Sequence, residues 1–389
     1  MRILLVVFDI NNSATGLVIK NVLGSLVLQN PELEIICNKV TNNEIPADIF
    51  YEINGGNLDY DRFDKLLLVL TRKNFKGLSW IYKGVQIAKK IVDSFNPELV
   101  LVISSAYGFP VFELGYRISR KFNIPLAIHA VDPLPSTAGW GENQQLRKSI
   151  ISIIKPYYKH ATIVSSTNES MLNYQKNVIG EKYIKNSFVL PNPYSPLKNN
   201  LTAPLEQKSF VYLGSVYGKR NIQHLIDAFT VFCNRHQDAK LYFVGSIDPG
   251  KAVISKHVAD KIELINWTDE PEIFIFRCAI LVDIDADIQH DVFISSKLTN
   301  YLVADRVILS ISPPDSPARK LMQHLHNTVV VTADSKAEIL NALEEALNKS
   351  QNLIDFGERK EIRNYLSPKT VAKNLLDNLN SVLTNGNSF

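Results

Sequence analysis

Cysteine is scarce in this chain. Of 389 residues three are cysteines, Cys37, Cys233 and Cys278, and no two stand at a metal-ligand or redox spacing. That argues against a zinc ribbon, a disulfide scaffold or thiol chemistry, and leaves three small buried hydrophobes. An odd count beside a start, "MRILLVVFDI", that meets Asp9 and shows no cleavage site leads us to expect a reducing, cytoplasmic setting. Long hydrophobic runs are missing too: none approaches the ~20 residues of a spanning helix. Charge of one sign is not in excess. With 42 Lys and Arg against 39 Asp and Glu, the net charge of +3 gives no footing for nucleic acid as a partner. Neither a G-x-G-x-x-G fingerprint nor a P-loop follows a strand, which counts against dehydrogenase and kinase chemistry.

What is present is a repeated grammar. Short runs rich in Val, Ile and Leu alternate with amphipathic helical segments. In the first half the expected strands are "RILLVVF", "LEIICN", "KLLLVL", "ELVLVIS", "PLAIHAV" and "TIVSS". They lack strict alternation, as parallel strands covered on both faces do. Leu17 to Gln29 and Val111 to Phe122 read as helices between them. Near Ser209 the pattern restarts with "SFVYLGS", "NIQHLIDAFTVFCNRH", "KLYFVGS", "IELINW" and "AILVDID". Between the halves "LPNPYSPLKNNLTAPLEQ" gathers prolines and turn residues and reads as a linker, or as a surface loop only. The expected class is therefore α/β, with two doubly wound parallel sheets. The expected divisions are 1–190, a linker at 191–207, a second domain at 208–367 and a C-terminal helix at 368–389, one that could return to the first domain. Two such domains would face each other across a cleft at the carboxyl ends of their strands, where ligands bind.

The residues just past those strands carry the chemistry. "FVYLG" runs into "SVYGKRN", so Gly214 and Ser215 precede Lys219 and Arg220 at a helix start. A glycine turn lets backbone N–H groups approach a diphosphate, and the two bases neutralise it, Arg as a bidentate fork. Two solvated bases in an ordinary turn remain the plainer alternative. "FISSKLTNYLV" follows "AILVDID". Ser295 and Ser296 are cap candidates, and Lys297 in the first helical turn opposes the helix dipole unless an anion sits beside it. Asn300 and Tyr301, three and four residues on, share its face, and Asn300 has the groups to bond a ribose hydroxyl. A capped helix with a snorkelling lysine is the competing reading.

At this point "YLGSVYGKRNIQHLIDAF", "LYFVGS", "ELINW" and "FISSKLTNYLVADRVILSISPPDSP" resemble the donor half of GT-B glycosyltransferases of the E-x7-E, family 4-like retaining group. "LPNPYSP" resembles the linker of that group. The resemblance implies two Rossmann-like domains and a nucleoside-diphosphate sugar as donor. It places the diphosphate against Gly214, Ser215, Lys219, Arg220, Ser296, Lys297 and Leu298. The nucleoside would lie against Gly245, Asn266, Trp267, Asn300 and Tyr301. It implies no cofactor and no metal. The chain departs from the pattern at both glutamates: Val292 and Asn300 stand in their places, and Ala304-Asp305 replaces the usual small-residue turn. Asp291 is a candidate for a partial replacement.

In the first half "PLAIHAVDPLPSTAGWGEN" puts His129 and Asp132 at a strand end, as candidates for proton exchange and for orienting a hydroxyl. A satisfied strand histidine and an Asp-Pro turn look the same. "DINNSATG" after the first strand resembles an acceptor loop, with Gly16 as its glycine. From Lys65 to Val92 there are seven Lys and Arg and no Asp or Glu. "LSWIYKGVQIAKKIVDSF" sets Ile81, Val85, Ala88, Val92 and Phe95 on one stripe, with Phe75 and Trp80 upstream. Such a helix suits an anionic membrane face or a core-facing position with solvated bases. The expectation is a glycosyltransferase acting on a glycan or lipid-linked acceptor in surface polysaccharide synthesis, cytoplasmic and peripheral on the inner face of the membrane. A non-catalytic nucleotide-sugar-binding subunit and a GT-B nucleotide-sugar epimerase are the alternatives.

Overall fold

The computed structural model describes all residues except 12, 30, 42–48, 196–204, 267, 269, 334, 353–354 and 387–389. Trp267 and most of the expected linker therefore lie outside the described residues. The chain forms two compact units. The first is Met1–Thr137 with Gly141–Pro193 and Leu366–Phe389; the second is Ala138–Trp140 with Tyr194–Tyr365.

The first unit is built in chain order from β1 (Arg2–Val6), β2 (Asp9–Ile10), α1 (Ala14–Val27), β3 (Glu32–Cys37), β4 (Lys39–Val40), β5 (Phe50–Glu52), α2 (Arg62–Thr71), α3 (Leu78–Phe95), β6 (Leu99–Ser104), α4 (Phe109–Phe122), β7 (Leu126–Ala130), α5 (Gln144–His160), β8 (Ile163–Ser166), α6 (Glu169–Ile179) and β9 (Ser187–Val189). Seven strands pair in parallel in the order β5-β3-β1-β6-β7-β8-β9, and β2 and β4 form a small ribbon beside them. Every side chain of β6 and β7 is buried, which is why those strands show no alternation of apolar and polar residues. One core lies under α3, α4 and α5, around Trp80, Phe112 and Tyr158. The other lies under α1.

One expected strand is a helix. "KLLLVL" forms the body of α2, with Leu68 its buried residue. Asp61 and Asp64 form a capping box at its start, and leucines, which carry no branch at Cβ, favour helix over strand, so local chemistry outweighs the apolar run. The stripe of α3 faces inward. Ile81 and Ala88 are fully buried and Val85, Val92 and Phe95 pack against the same core, as does Trp80, which was expected among the membrane-facing aromatics.

The second unit contains β10 (Glu206–Leu213), α7 (Gln223–Phe232), β11 (Lys240–Val244), β12 (Ile262–Ile265), α8 (Glu272–Arg277), β13 (Cys278–Ile284), α9 (Ser296–Val303), β14 (Val307–Ile311), α10 (Pro317–Met322), β15 (Thr328–Val331), α11 (Lys336–Gln351) and α12 (Lys360–Tyr365). Its six strands pair in parallel in the order β12-β11-β10-β13-β14-β15. The last helix, α13 (Pro368–Gly386), packs on α1 in the first unit, burying Val371, Leu375 and Leu379. Both sheets are thus doubly wound, as the alternation of strand and helix predicts.

Arg359, fully buried, fastens α9 from behind. Its guanidinium donates to the carbonyls of Tyr301 (3.3 Å) and Ala304 (2.7 Å) and to Asn327 Oδ1 (2.6 Å). Those carbonyls belong to the end of α9, which would otherwise leave them without partners in the interior.

Candidate functional site

In each sheet the strands grow one way and then jump to the other side. The jump falls between β1 and β6 in the first unit and between β10 and β13 in the second. A crevice opens at the carboxyl ends of the strands at such a point.

In the second unit Gly214 directly follows β10 and Gly245 directly follows β11, with φ of +119° and +136°. A Cβ on Gly245 would stand 2.6 Å from the Gly214 carbonyl oxygen, so only glycine allows the two strand ends to meet. Ser215 follows, its Oγ accepting from Ser246 Oγ at 2.8 Å. Lys219 is exposed and Arg220 is buried. The Arg220 guanidinium lies 4.7 Å from the Tyr217 ring, and its Nε donates to the Ile284 carbonyl at 3.3 Å. Of the two adjacent bases, Arg220 is thereby held at the end of β13, and Lys219 is not.

Lys297 reaches the same place from α9. Its Nζ lies 3.5 Å from Asp283 Oδ1 and 4.2 Å from the centre of the Tyr212 ring. The anion expected beside this lysine is thus present in the protein, as a fully buried carboxylate. Asp283 Oδ1 also accepts from Ser295 Oγ at 2.9 Å, while Oδ2 is buried with no partner among the described residues. Ser295 occupies the cap position of α9 but spends its hydroxyl on Asp283 rather than on the helix. Two residues along, Asp285 Oδ2 accepts from Ser316 Oγ at 2.6 Å. Burial and the Asp283 carboxylate beside it push Asp285 up to about 7, against the pull of Ser316, Lys297 and Arg220. The two acids missed in the sequence have a signal there after all. "VDIDAD" closes an otherwise apolar strand with acids two apart, a pattern that costs too much in a parallel-sheet core unless something at the strand end uses it.

Other expected contacts are internal ones. Leu298 is fully buried and its N–H donates to the Ser295 carbonyl at 3.1 Å, so it offers nothing to a diphosphate. Tyr301 is fully buried, and its hydroxyl accepts from the Leu213 N–H at 2.9 Å; it fixes the end of β10 instead of reaching a nucleoside. Asn300 Oδ1 accepts from the Ser195 N–H at 2.9 Å, which engages the group expected at a ribose. Ser296 is half-buried at the start of α9, and Asn266 is exposed just past β12. Asp291 Oδ2 accepts from Trp140 Nε1 at 3.1 Å.

In the first unit the switch point is an open cavity of about 760 Å³. Phe8, Asp9 and Asn11 line it from the stretch after β1, Ser104 to Gly108 from the end of β6 and the turn beyond it, and Tyr60 and Lys65 from the approach to α2 and from α2 itself. Gly16 lines it too. It sits in the first turn of α1, where a Cβ would stand 2.5 Å from the Asn11 carbonyl oxygen, so the loop after β1 can close only over glycine. Tyr107 holds a left-handed backbone, φ +60°, beside the Tyr60 ring at 5.6 Å. A non-glycine residue kept in that region is a strained one, and such strain gathers at ligand sites.

His129 and Asp132 part company. His129 is fully buried in β7; Nδ1 meets Ser165 Oγ at 2.9 Å and Nε2 has no partner among the described residues. Burial pulls it down to about 4, so it is neutral at pH 7 and reaches no substrate; its assignment to proton exchange is corrected to a structural one. Asp132 lies past the strand, half-buried, and accepts from the Ala106 N–H at 3.3 Å behind the cavity wall. Loss of solvent raises it to about 6.

No family model matches the chain, and no curated protein does. Solved structures do. The apo form of WaaB, a lipopolysaccharide outer core galactosyltransferase, aligns with a TM-score of 0.61 at 13% identity over 98% of this chain and 99% of that one. A UDP-GlcNAc 2-epimerase from Methanocaldococcus jannaschii aligns at 0.56 and 12% identity over 98% and 100%. TarM aligns at 0.55 and 13% identity over 80% of this chain and 59% of its own. At these identities the likeness concerns the backbone, and with the two parallel-sheet units it gives the chain the GT-B fold.

Proposed function

We propose that the protein is a glycosyltransferase that moves a sugar from a nucleoside-diphosphate sugar to a hydroxyl of a glycan or lipid-linked acceptor, in surface polysaccharide synthesis. The observation that carries this reading is the second unit's switch point, where Lys297 stands beside Gly214 and Arg220 is held at the end of β13. Negative charge builds on the diphosphate as it leaves. Fixed cations beside backbone N–H groups stabilise that charge most where water is excluded. Arg220 supplies a planar fork, and Lys297 a compact charge that exchanges Asp283 for phosphate. In this reading no metal is required.

The anomeric carbon exchanges its bond to the diphosphate oxygen for one to the acceptor oxygen, and the acceptor proton leaves on the diphosphate. With retention of configuration, taken from the family resemblance, no protein base is needed, and Asp132 serves to position the acceptor end of the first unit. The cavity at β1 and β6 is the acceptor's place. Its rings, amides and hydroxyls suit the faces and edges of a sugar. The 65–92 region sets the enzyme at the inner face of the membrane.

Incubation with a panel of sugar nucleotides and glycan or lipid-linked acceptors tests this. Free nucleoside diphosphate appearing with a new glycosidic bond is the expected result. The epimerase-like fold match favours a second reading, nucleotide-sugar epimerisation. An epimerised sugar nucleotide formed with no acceptor would establish that one. Tight donor binding with neither product would make the chain a binding subunit.

A further inference from the structure

Apart from Leu28, the exposed large apolar side chains described in the first unit gather in one stretch. Phe63, Leu66 and Leu70 of α2 are 65%, 52% and 70% exposed. Three and seven residues apart, they share one helical face, and Leu68 on the other side is buried. The chain continues through Phe75, half in water, to Leu78 and Tyr82 of α3, exposed one turn apart. A cluster of this kind marks an interaction surface.

The same stretch carries bases and no acids beyond Asp64. Lys76 is bound to Asp64, and Lys65 lies 5.1 Å from the Tyr107 ring. Arg72, Lys73, Lys83, Lys89 and Lys90 are exposed and form no ion pair among the described residues. Beside Tyr82, a groove of about 440 Å³ against α4 adds Arg117, Arg120 and Lys121, with Arg117 paired to Glu113.

We infer that this face of the first unit docks on an anionic lipid bilayer. The α2 ridge enters the acyl boundary and the surrounding bases meet the phosphate headgroups. A second copy of the chain would bring like charges together. A nucleic acid would call for a row of stacking rings, and Leu66, Leu70 and Leu78, aliphatic, stand among Phe63, Phe75 and Tyr82 in this patch. Lys65, next to Leu66 on α2, also lines the cavity at β1 and β6. A lipid-linked acceptor would then keep its tail in the membrane while its head enters that cavity. That last step rests on the proposed transfer; the docking does not.

Co-sedimentation of the full chain with vesicles tests the docking. Vesicles of phosphatidylcholine with about 30% phosphatidylglycerol should bind the protein at low salt and release most of it at about 0.5 M salt. Leu66→Asp with Leu70→Asp, and separately Lys73→Glu with Lys83→Glu, should each weaken binding about tenfold or more. Far-UV circular dichroism and the thermal unfolding midpoint should match wild type in both, which shows that they fold. Equal binding to phosphatidylcholine alone, no vesicle binding, a dimer lost in the leucine variant, or retention of single-stranded oligonucleotide without vesicle binding would each overturn the inference. Vesicle binding without sugar transfer would sink the transferase reading and leave this one standing.

Discussion

The two units share a strand order around their switch points and furnish them differently. In the first unit the ends of β1 and β6 open on a cavity walled by rings, amides and hydroxyls, with Asp9, Lys39, Asp59 and Lys65 also in its lining. In the second the ends of β10 and β13 are filled with charge: Arg220 and Lys297 against Asp283 and Asp285. Backbone topology fixes where a crevice falls, and the residues after each strand decide what it holds. A partly buried lysine already paired with a fully buried aspartate is a cation kept in place. Its desolvation is partly offset, and an incoming diphosphate need only replace one anion with another.

The comparison breaks most visibly at Arg220. Arg220→Ala should weaken nucleoside diphosphate binding by about 100-fold, since a lost charged hydrogen bond is worth up to ~3 kcal/mol. Calorimetry reads the affinity, and a thermal scan confirms the fold. Gly16→Val in the other unit should raise the acceptor KM by tenfold or so by driving the Asn11 loop into the cavity, with diphosphate affinity unchanged. Equal effects of both variants on diphosphate affinity would erase the distinction.

Smaller effects sharpen it. Tyr301→Phe strands the buried Leu213 N–H and should cost about 1–3 kcal/mol of stability in urea, with nucleoside affinity held within about twofold. A large affinity loss at unchanged stability would return Tyr301 to the nucleoside site. Asp285 gives a pH signature. Its carboxyl, raised to about 7, takes up a proton as pH falls from 8 to 6, which removes a negative charge near the bases. Affinity for an intact nucleotide sugar, whose diphosphate does not titrate there, should rise several-fold over that range and be flat in Asp285→Asn. The same raised value means that the folded state binds the extra proton, so Asp285 favours folding less as pH rises from about 4 towards 7. His129 works the other way. Held down to about 4, it supports the fold fully above its ordinary 6.5, and that support is lost as pH falls towards 4. His129→Gln should flatten this limb of the stability profile.

Much of the fold was legible because parallel strands buried on both faces leave unbroken Val, Ile and Leu runs, as in "ELVLVIS" and "AILVDID". "KLLLVL" misled for the same reason. An apolar run reads as buried, and here only Leu68 is, while Leu66 and Leu70 stand in water on a helix capped by Asp61 and Asp64. Gly214, Arg220 and Lys297 could be picked out by their position after strands, since one turn fixes what they face. Asp283 and Asp285 were overlooked because one lies inside a strand and the other directly after it, where only the caps of α9 and α10 show what an acid meets. Tyr301 and Leu298 share the helix of Lys297, but helical spacing does not say which side is the core until Arg359 and β10 close over it.

Calorimetric titration of UDP, GDP, ADP and dTDP without metal, into wild type, Arg220→Ala and Lys297→Ala, tests the central claim most directly. The account predicts that one diphosphate binds wild type and that both substitutions weaken it at least tenfold. Binding of none of the four, or binding that survives both substitutions, would mean that the charges at the β10 and β13 switch point serve the fold and hold no donor.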